Sequence, residues 1–134
     1  MKKILGFTLL EMVVVLVMMG IVTSLALPGL QKMYDSMEAS LARKDLVMIL
    51  NHLALDVRHH GHALLLSNYP ADIADLPQAF VKRLSVLDVS LQFDEPLYVT
   101  AGGFCPRENI VKVSKGARTY SLRLRAPDCR VIEE

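Results

Sequence analysis

From Phe7 to Leu30 the chain reads FTLLEMVVVLVMMGIVTSLALPGL, 24 residues that carry one formal charge, Glu11, and end in a Pro-Gly pair. A helix rises about 1.5 Å per residue, so about 20 residues cross the ~30 Å hydrocarbon layer of a bilayer, and this run is long enough to do so. Lys2 and Lys3 stand ahead of it. Two positive charges in so short a leading segment stay on the cytoplasmic side, so the segment points N-terminus in and C-terminus out. A cleaved secretory signal would have an uncharged apolar stretch of about 7 to 15 residues. This run is longer and contains a carboxylate. A plain anchor accounts for the length but not for Glu11, because an ionised carboxylate in a bilayer costs on the order of 2 to 3 kcal/mol and so needs a partner and a role.

The apolar run accounts for much of the 52% hydrophobic content and the mean hydropathy of +0.34. With 134 residues in all, one small domain is expected after it. Fifteen Lys and Arg against 14 Asp and Glu leave a net charge of +1, which disfavours a dedicated polyanion binder.

A cut between Gly6 and Phe7 would leave Glu11 four residues, about one helical turn, from a free amine at Phe7. In a low-dielectric setting the carboxylate could neutralise that ammonium in its own chain or in a neighbour lying alongside. Association of identical helices would supply such a neighbour.

Lys-Lys-Ile-Leu-Gly followed by Phe7-Thr8-Leu9-Leu10-Glu11 resembles the class III signal of the type IV pilin and pseudopilin superfamily. The resemblance implies that a prepilin peptidase cuts after Gly6 and N-methylates Phe7, and that Glu11 directs assembly into a filament. It divides the chain into a leader peptide (1–6), a transmembrane and filament-core helix (7–29) and a periplasmic pilin-like α+β domain (30–134). Pro28 falls where many pilins kink their long helix, and proline supplies a cause by removing a backbone donor and clashing with the preceding turn.

Beyond Pro28, apolar residues Leu30, Met33, Met37 and Leu41, then Leu46, Ile49, Leu50, Leu53 and Val57, recur at helical steps between charged ones. This predicts an amphipathic helix that ends near His60-Gly61. The segment SNYPADIADLPQAF reads as a variable loop with one helical turn. Val86 to Phe93 alternates, with Leu87, Val89, Leu91 and Phe93 on one face, and predicts a half-buried strand. Further strands are expected at Leu97–Thr100, Ile110–Val113, Thr119–Arg125 and Arg130–Ile132, with Ser114 to Ala117 as a turn. The expected fold is α+β: one long N-terminal helix, its second half packed on a small antiparallel sheet. The resemblance implies the same.

Cys105 and Cys129 lie outside the cytoplasmic membrane in this topology, where a disulfide is the default and two free buried thiols the alternative. His59, His60 and His62 read as a solvated helix end, and no metal or cofactor is expected. No phosphate loop, nucleophile elbow or HExxH pattern is present, so no enzymatic activity is expected. Arg123 and Arg125 share one face of a strand. They read as a solvated pair or as ion-pair partners of Asp88, Asp94, Glu95 or a neighbouring subunit, with a nucleic-acid contact as the less favoured reading.

The stretch from Ala42 through Arg58 and Gly61 to Ala63-Leu64-Leu65-Leu66 is also similar to minor pseudopilin H and FimT-type minor pilins, although the Gly-Arg-x-Arg signature of the latter is missing. This implies a minor pseudopilin of a type II secretion system. Its implied partners are other major and minor pseudopilins, the prepilin peptidase, an inner-membrane assembly platform and the inner membrane itself. A minor type IV pilin acting in pilus biogenesis or DNA uptake is the alternative.

Overall fold

The computed structural model describes residues 6–132. Helix α1 (Leu9–His60) is followed by β1 (Leu64–Tyr69), α2 (Gln78–Leu87), β2 (Ser90–Val99), β3 (Asn109–Lys115), β4 (Arg118–Arg125) and β5 (Arg130–Ile132). The strands form one antiparallel sheet in the order β1-β2-β3-β4-β5. A long N-terminal helix followed by an antiparallel sheet is the pilin-like α+β arrangement that the sequence predicts. The chain divides into two compact units between Leu41 and Ala42.

In the first unit nearly every described side chain is exposed, including Leu9, Leu10, Leu16 and Leu25 at 68 to 82%. Two of the three hydroxyls in the apolar stretch bond back to their own helix. Thr23 donates to the Met19 carbonyl at 2.7 Å and Ser24 to the Ile21 carbonyl at 2.8 Å. Such back-bonding lets a hydroxyl sit in an apolar medium without an unsatisfied donor. The helix continues through Pro28, which has no N–H to offer the carbonyl four residues earlier.

In the second unit α1 buries Ala42, Leu46, Leu50, Leu53 and Val57, a stripe at helical spacing. Packing begins at Ala42, and Leu30, Met33 and Met37 stay exposed. Strand length supplies the reason: a β4 strand of eight residues spans about 26 Å, the length of roughly 17 helical residues, so a short sheet covers only that much helix. Facing the helix are Leu64 and Leu66 of β1, Leu91, Phe93, Leu97 and Val99 of β2, Val111 and Val113 of β3, and Leu122 and Leu124 of β4. Helix α2 adds the fully buried Phe80 and Leu84, and Arg83 ties it to α1 through Asp56 at 3.2 Å.

Three sequence-based boundaries change. Val86 and Leu87 belong to α2, whose buried or half-buried Phe80, Val81, Leu84 and Leu87 follow a helical period that the downstream alternation hides; Asp88 then ends the helix in the left-handed region at φ 49°. The expected loop is shorter, because its first residues extend β1 and its last ones open α2. The two strands expected around Asp94-Glu95-Pro96 are one, β2. There the register slips, since Leu66 faces Leu97 while Asn68 faces Gln92. The excess residues bulge on β2, where Pro96 has no ladder hydrogen bond to lose, and the skipped Ser67 returns Tyr69 to the buried face.

Two polar contacts seat the helix against the far edge. The Val131 N–H donates to Asn51 Oδ1 at 2.7 Å, which satisfies a donor of the edge strand β5. The Arg43 guanidinium lies 5.5 Å from the centre of the Tyr120 ring. Burial pushes the Tyr120 hydroxyl above its ordinary pKa, opposed by the Arg43 charge.

Glycine is required at Gly103 for two reasons. Its φ is +81°, and an added Cβ would stand 2.5 Å from the Ala54 carbonyl oxygen of α1. Gly116, at the hairpin between β3 and β4, has φ +57° but open space around it. Gly116→Ala is therefore expected to cost about 1 to 2 kcal/mol from backbone strain alone, and Gly103→Ala roughly twice that because α1 must also shift. Urea unfolding of the full chain in detergent measures both. Equal losses would refute the close packing of the loop on the helix.

Candidate assembly site

The residues predicted to be processed lie just ahead of α1. Gly6, Phe7 and Thr8 have no regular structure, and Phe7 is 75% exposed. Among the described residues, a Cβ on Gly6 would meet nothing within 4 Å. Steric crowding among the described residues therefore does not call for glycine here, whereas recognition of the scissile bond by a peptidase would.

Thr8 is the helix N-cap, which the sequence reading missed. The Glu11 N–H donates to the Thr8 hydroxyl at 3.3 Å and to its carbonyl at 3.1 Å, and the Met12 N–H donates to the same carbonyl at 3.3 Å. The signal was present as Thr8-x-x-Glu11, the spacing of a capping box. The cap matters because the first N–H groups of a helix have no partner in their own ladder, and in hydrocarbon no water would satisfy them. It also fixes the place of Glu11, which falls in the first turn, where the positive end of the helix dipole favours a carboxylate. Phe7 immediately precedes the cap. Its amine, once freed, and the Glu11 carboxylate would sit at the same end of one apolar helix.

The other candidate residues lie on the sheet. Arg123 and Arg125 are exposed on the face of β4 opposite Leu122 and Leu124, as the alternation predicts. Arg125 grips Asp128, three residues on, with Nη2 to Oδ2 at 2.7 Å and Nε to Oδ1 at 3.3 Å. This hydrogen bond holds the Asp128 carboxyl below its usual range and raises the Arg125 guanidinium. Asp128 also offsets the like-charge pairing of Arg125 with Arg130 across the β4–β5 ladder. Of the anticipated acidic partners, Asp94 also pairs with Lys112 at 3.0 Å. Balanced local charge of this kind works against a polyanion contact.

Cys105 and Cys129 form a disulfide with Cα atoms 5.3 Å apart and both residues fully buried. The bond joins the loop after β2 to the turn before β5. Backbone hydrogen bonds flank it, from Cys105 N–H to the Pro127 carbonyl at 3.0 Å and from Cys129 N–H to the Arg125 carbonyl at 2.9 Å. His59 and His60 close α1, and His62 lies beyond Gly61.

Residues 1–27 match the family model of the prokaryotic N-terminal methylation motif. No curated protein and no solved structure matches the chain. The match covers Gly6, Phe7, Thr8 and Glu11, although Met1 to Leu5 of the leader lie outside the described residues. The motif implies processing by a prepilin peptidase and assembly into pilus-like filaments. Together with an apolar helix long enough to cross a bilayer, it fits a single-pass protein anchored in the inner membrane.

Removing the disulfide by the double substitution Cys105→Ser and Cys129→Ser is expected to lower stability by about 3 kcal/mol for a loop of this length. Urea unfolding with and without reductant tests this, and reductant should leave the double variant unchanged. The ion pair adds a pH signature. Because the folded Asp128 pKa is depressed, its contribution is present above the ordinary carboxylate range and lost as pH falls through the depressed value. The Tm gap between the native chain and Asp128→Asn should therefore be small and should close on acidification.

Proposed function

We propose that this chain is a minor pseudopilin, a non-enzymatic structural subunit of a type II secretion pseudopilus that helps export folded proteins across the outer membrane. The observation that carries the reading is the methylation motif at residues 1–27, which runs directly into a helix whose apolar side chains as far as Leu41 are exposed. Such a surface needs lipid or the helices of neighbouring subunits.

In this reading the chain is held first in the inner membrane, with its sheet domain in the periplasm. The prepilin peptidase cuts after Gly6 and methylates Phe7. An assembly platform then moves the subunit from the bilayer into the filament, where Glu11 neutralises the Phe7 ammonium of a neighbour while both are away from water. That pairing explains why a carboxylate is kept in an otherwise uncharged run. Minor status is supported by the compact sheet and by the similarity of the Ala42-to-Leu66 stretch to minor pseudopilin H. Growth of the filament would push substrates through the outer-membrane channel.

A minor type IV pilin of pilus biogenesis or DNA uptake is the second reading, favoured by the exposed Arg123 and Arg125 face. Deleting the gene and restoring it as the native form or as Glu11→Ala separates the two. The expected result is that hydrolases leave the culture supernatant on deletion and return only with the native copy. Intact-mass analysis should still find the Glu11→Ala subunit cut at Phe7 and methylated. Unchanged secretion accompanied by lost surface pili or lost transformation would overturn the secretion reading in favour of the second.

A further inference from the structure

The dipole at the C-terminal end of α1 favours His59 and His60 in its last turn, but not His62, which lies outside the helix. His62 is nevertheless brought back to the helix end. Gly61 takes φ +79°, and its N–H donates to the Val57 carbonyl at 3.0 Å, a left-handed stop that reverses the chain after one residue. The His60 and His62 rings consequently meet edge to face, with centres 5.7 Å apart and planes at 74°. Both side chains are exposed, so neither ring is committed to the core.

Two imidazoles that share one ion at metal–nitrogen distances of about 2.0 to 2.1 Å have ring centres about 5 to 6 Å apart. The observed spacing already lies in that range, and rotation about the side-chain bonds of two exposed residues is all that would turn a nitrogen of each toward a common point. The site also has a favourable field. The last carbonyls of a helix lack ladder partners and form the negative end of its dipole, which attracts a cation and offers oxygen atoms nearby.

We propose that His60 and His62 form a two-histidine chelate for a divalent transition-metal ion of the zinc, nickel or copper type at the C-terminal end of α1. Imidazole nitrogen selects these ions over calcium or magnesium. Among the described residues no group of three His, Cys, Asp or Glu side chains converges, so this is an open, exchangeable site rather than a closed structural centre. Its remaining positions go to water or to a side chain of a neighbouring subunit. The site is independent of the secretory reading above.

The test is a zinc chloride titration of the full chain in detergent, purified with a histidine-free tag and followed by calorimetry. The native chain should bind one equivalent. His60→Asn and His62→Asn should each weaken binding about tenfold or more, while His59→Asn changes it by less than about twofold. Metal-free thermal melts of all four proteins should coincide, which separates lost binding from lost folding. The proposal is overturned if no saturable one-equivalent binding is seen, if His59→Asn weakens binding as much as His60→Asn does, or if calcium binds as tightly as zinc.

Discussion

Among the described residues, the apolar side chains along the first 30 or so helical positions, Leu9, Leu16 and Leu25 among them, are largely exposed. At roughly 25 cal/mol per Å² of apolar surface, a helix of this kind cannot be kept in water at any reasonable cost. Lipid or other helices must cover it. Much of the N-terminal chemistry follows from that requirement. A helix in hydrocarbon must satisfy its own polar groups, and it does so at three places: Thr8 accepts from the first free N–H groups, while Thr23 and Ser24 return their hydroxyl protons to carbonyls of the preceding turn.

The second unit solves a different problem with the same helix. From Ala42 onward one stripe of α1 is shut away under a sheet whose inner face is almost wholly Leu, Val and Phe. The sheet is small, and its far edge, the three-residue β5, would be weak alone. It is held from two directions. Asn51 accepts from its backbone at Val131, and the disulfide fixes the turn that leads into it. Arg125 and Asp128 brace the same turn from outside. Arg125 is thus accounted for by the turn it holds to Asp128.

How far these features were legible depends on the range of the interaction. The α1 stripe of Leu46, Leu50, Leu53 and Val57 and the alternation in β4 are local patterns, and both appear in the structure where periodicity places them. The Cys105–Cys129 bond was the default expectation for the compartment, and the geometry supplies the bond itself. Helix α2 was missed because Val86 to Phe93 alternates as a strand would, while Val86 in fact points to solvent from the end of a helix. Only the burial of Phe80 and Leu84 against the core decides that competition, and burial is a tertiary fact. The bulge at Pro96 was hidden likewise, since a proline and two acids read as a strand break until a neighbouring strand accommodates them. The Thr8 cap is the opposite case: its signature was local and simply outweighed by attention to the charge on Glu11.

Thr8 and Glu11 take on a joint meaning once the cap is in view. A carboxylate in the first turn already has part of a partner in the helix dipole, but a dipole contributes only about 0.3 to 1 kcal/mol at exposed sites, less than the 2 to 3 kcal/mol that the buried charge costs. The remainder calls for a full positive charge. In the proposed filament that charge is the Phe7 amine, one residue before the cap, which would itself need a partner away from water. In that reading each charge offsets the cost of the other in the apolar layer. A helix that starts after Thr8 sets the two about one turn apart, so a neighbouring copy offset by about that distance would bring its amine to this carboxylate. Gly6, Phe7 and Glu11, a cut and a carboxylate about one turn apart, supply what such an exchange would require.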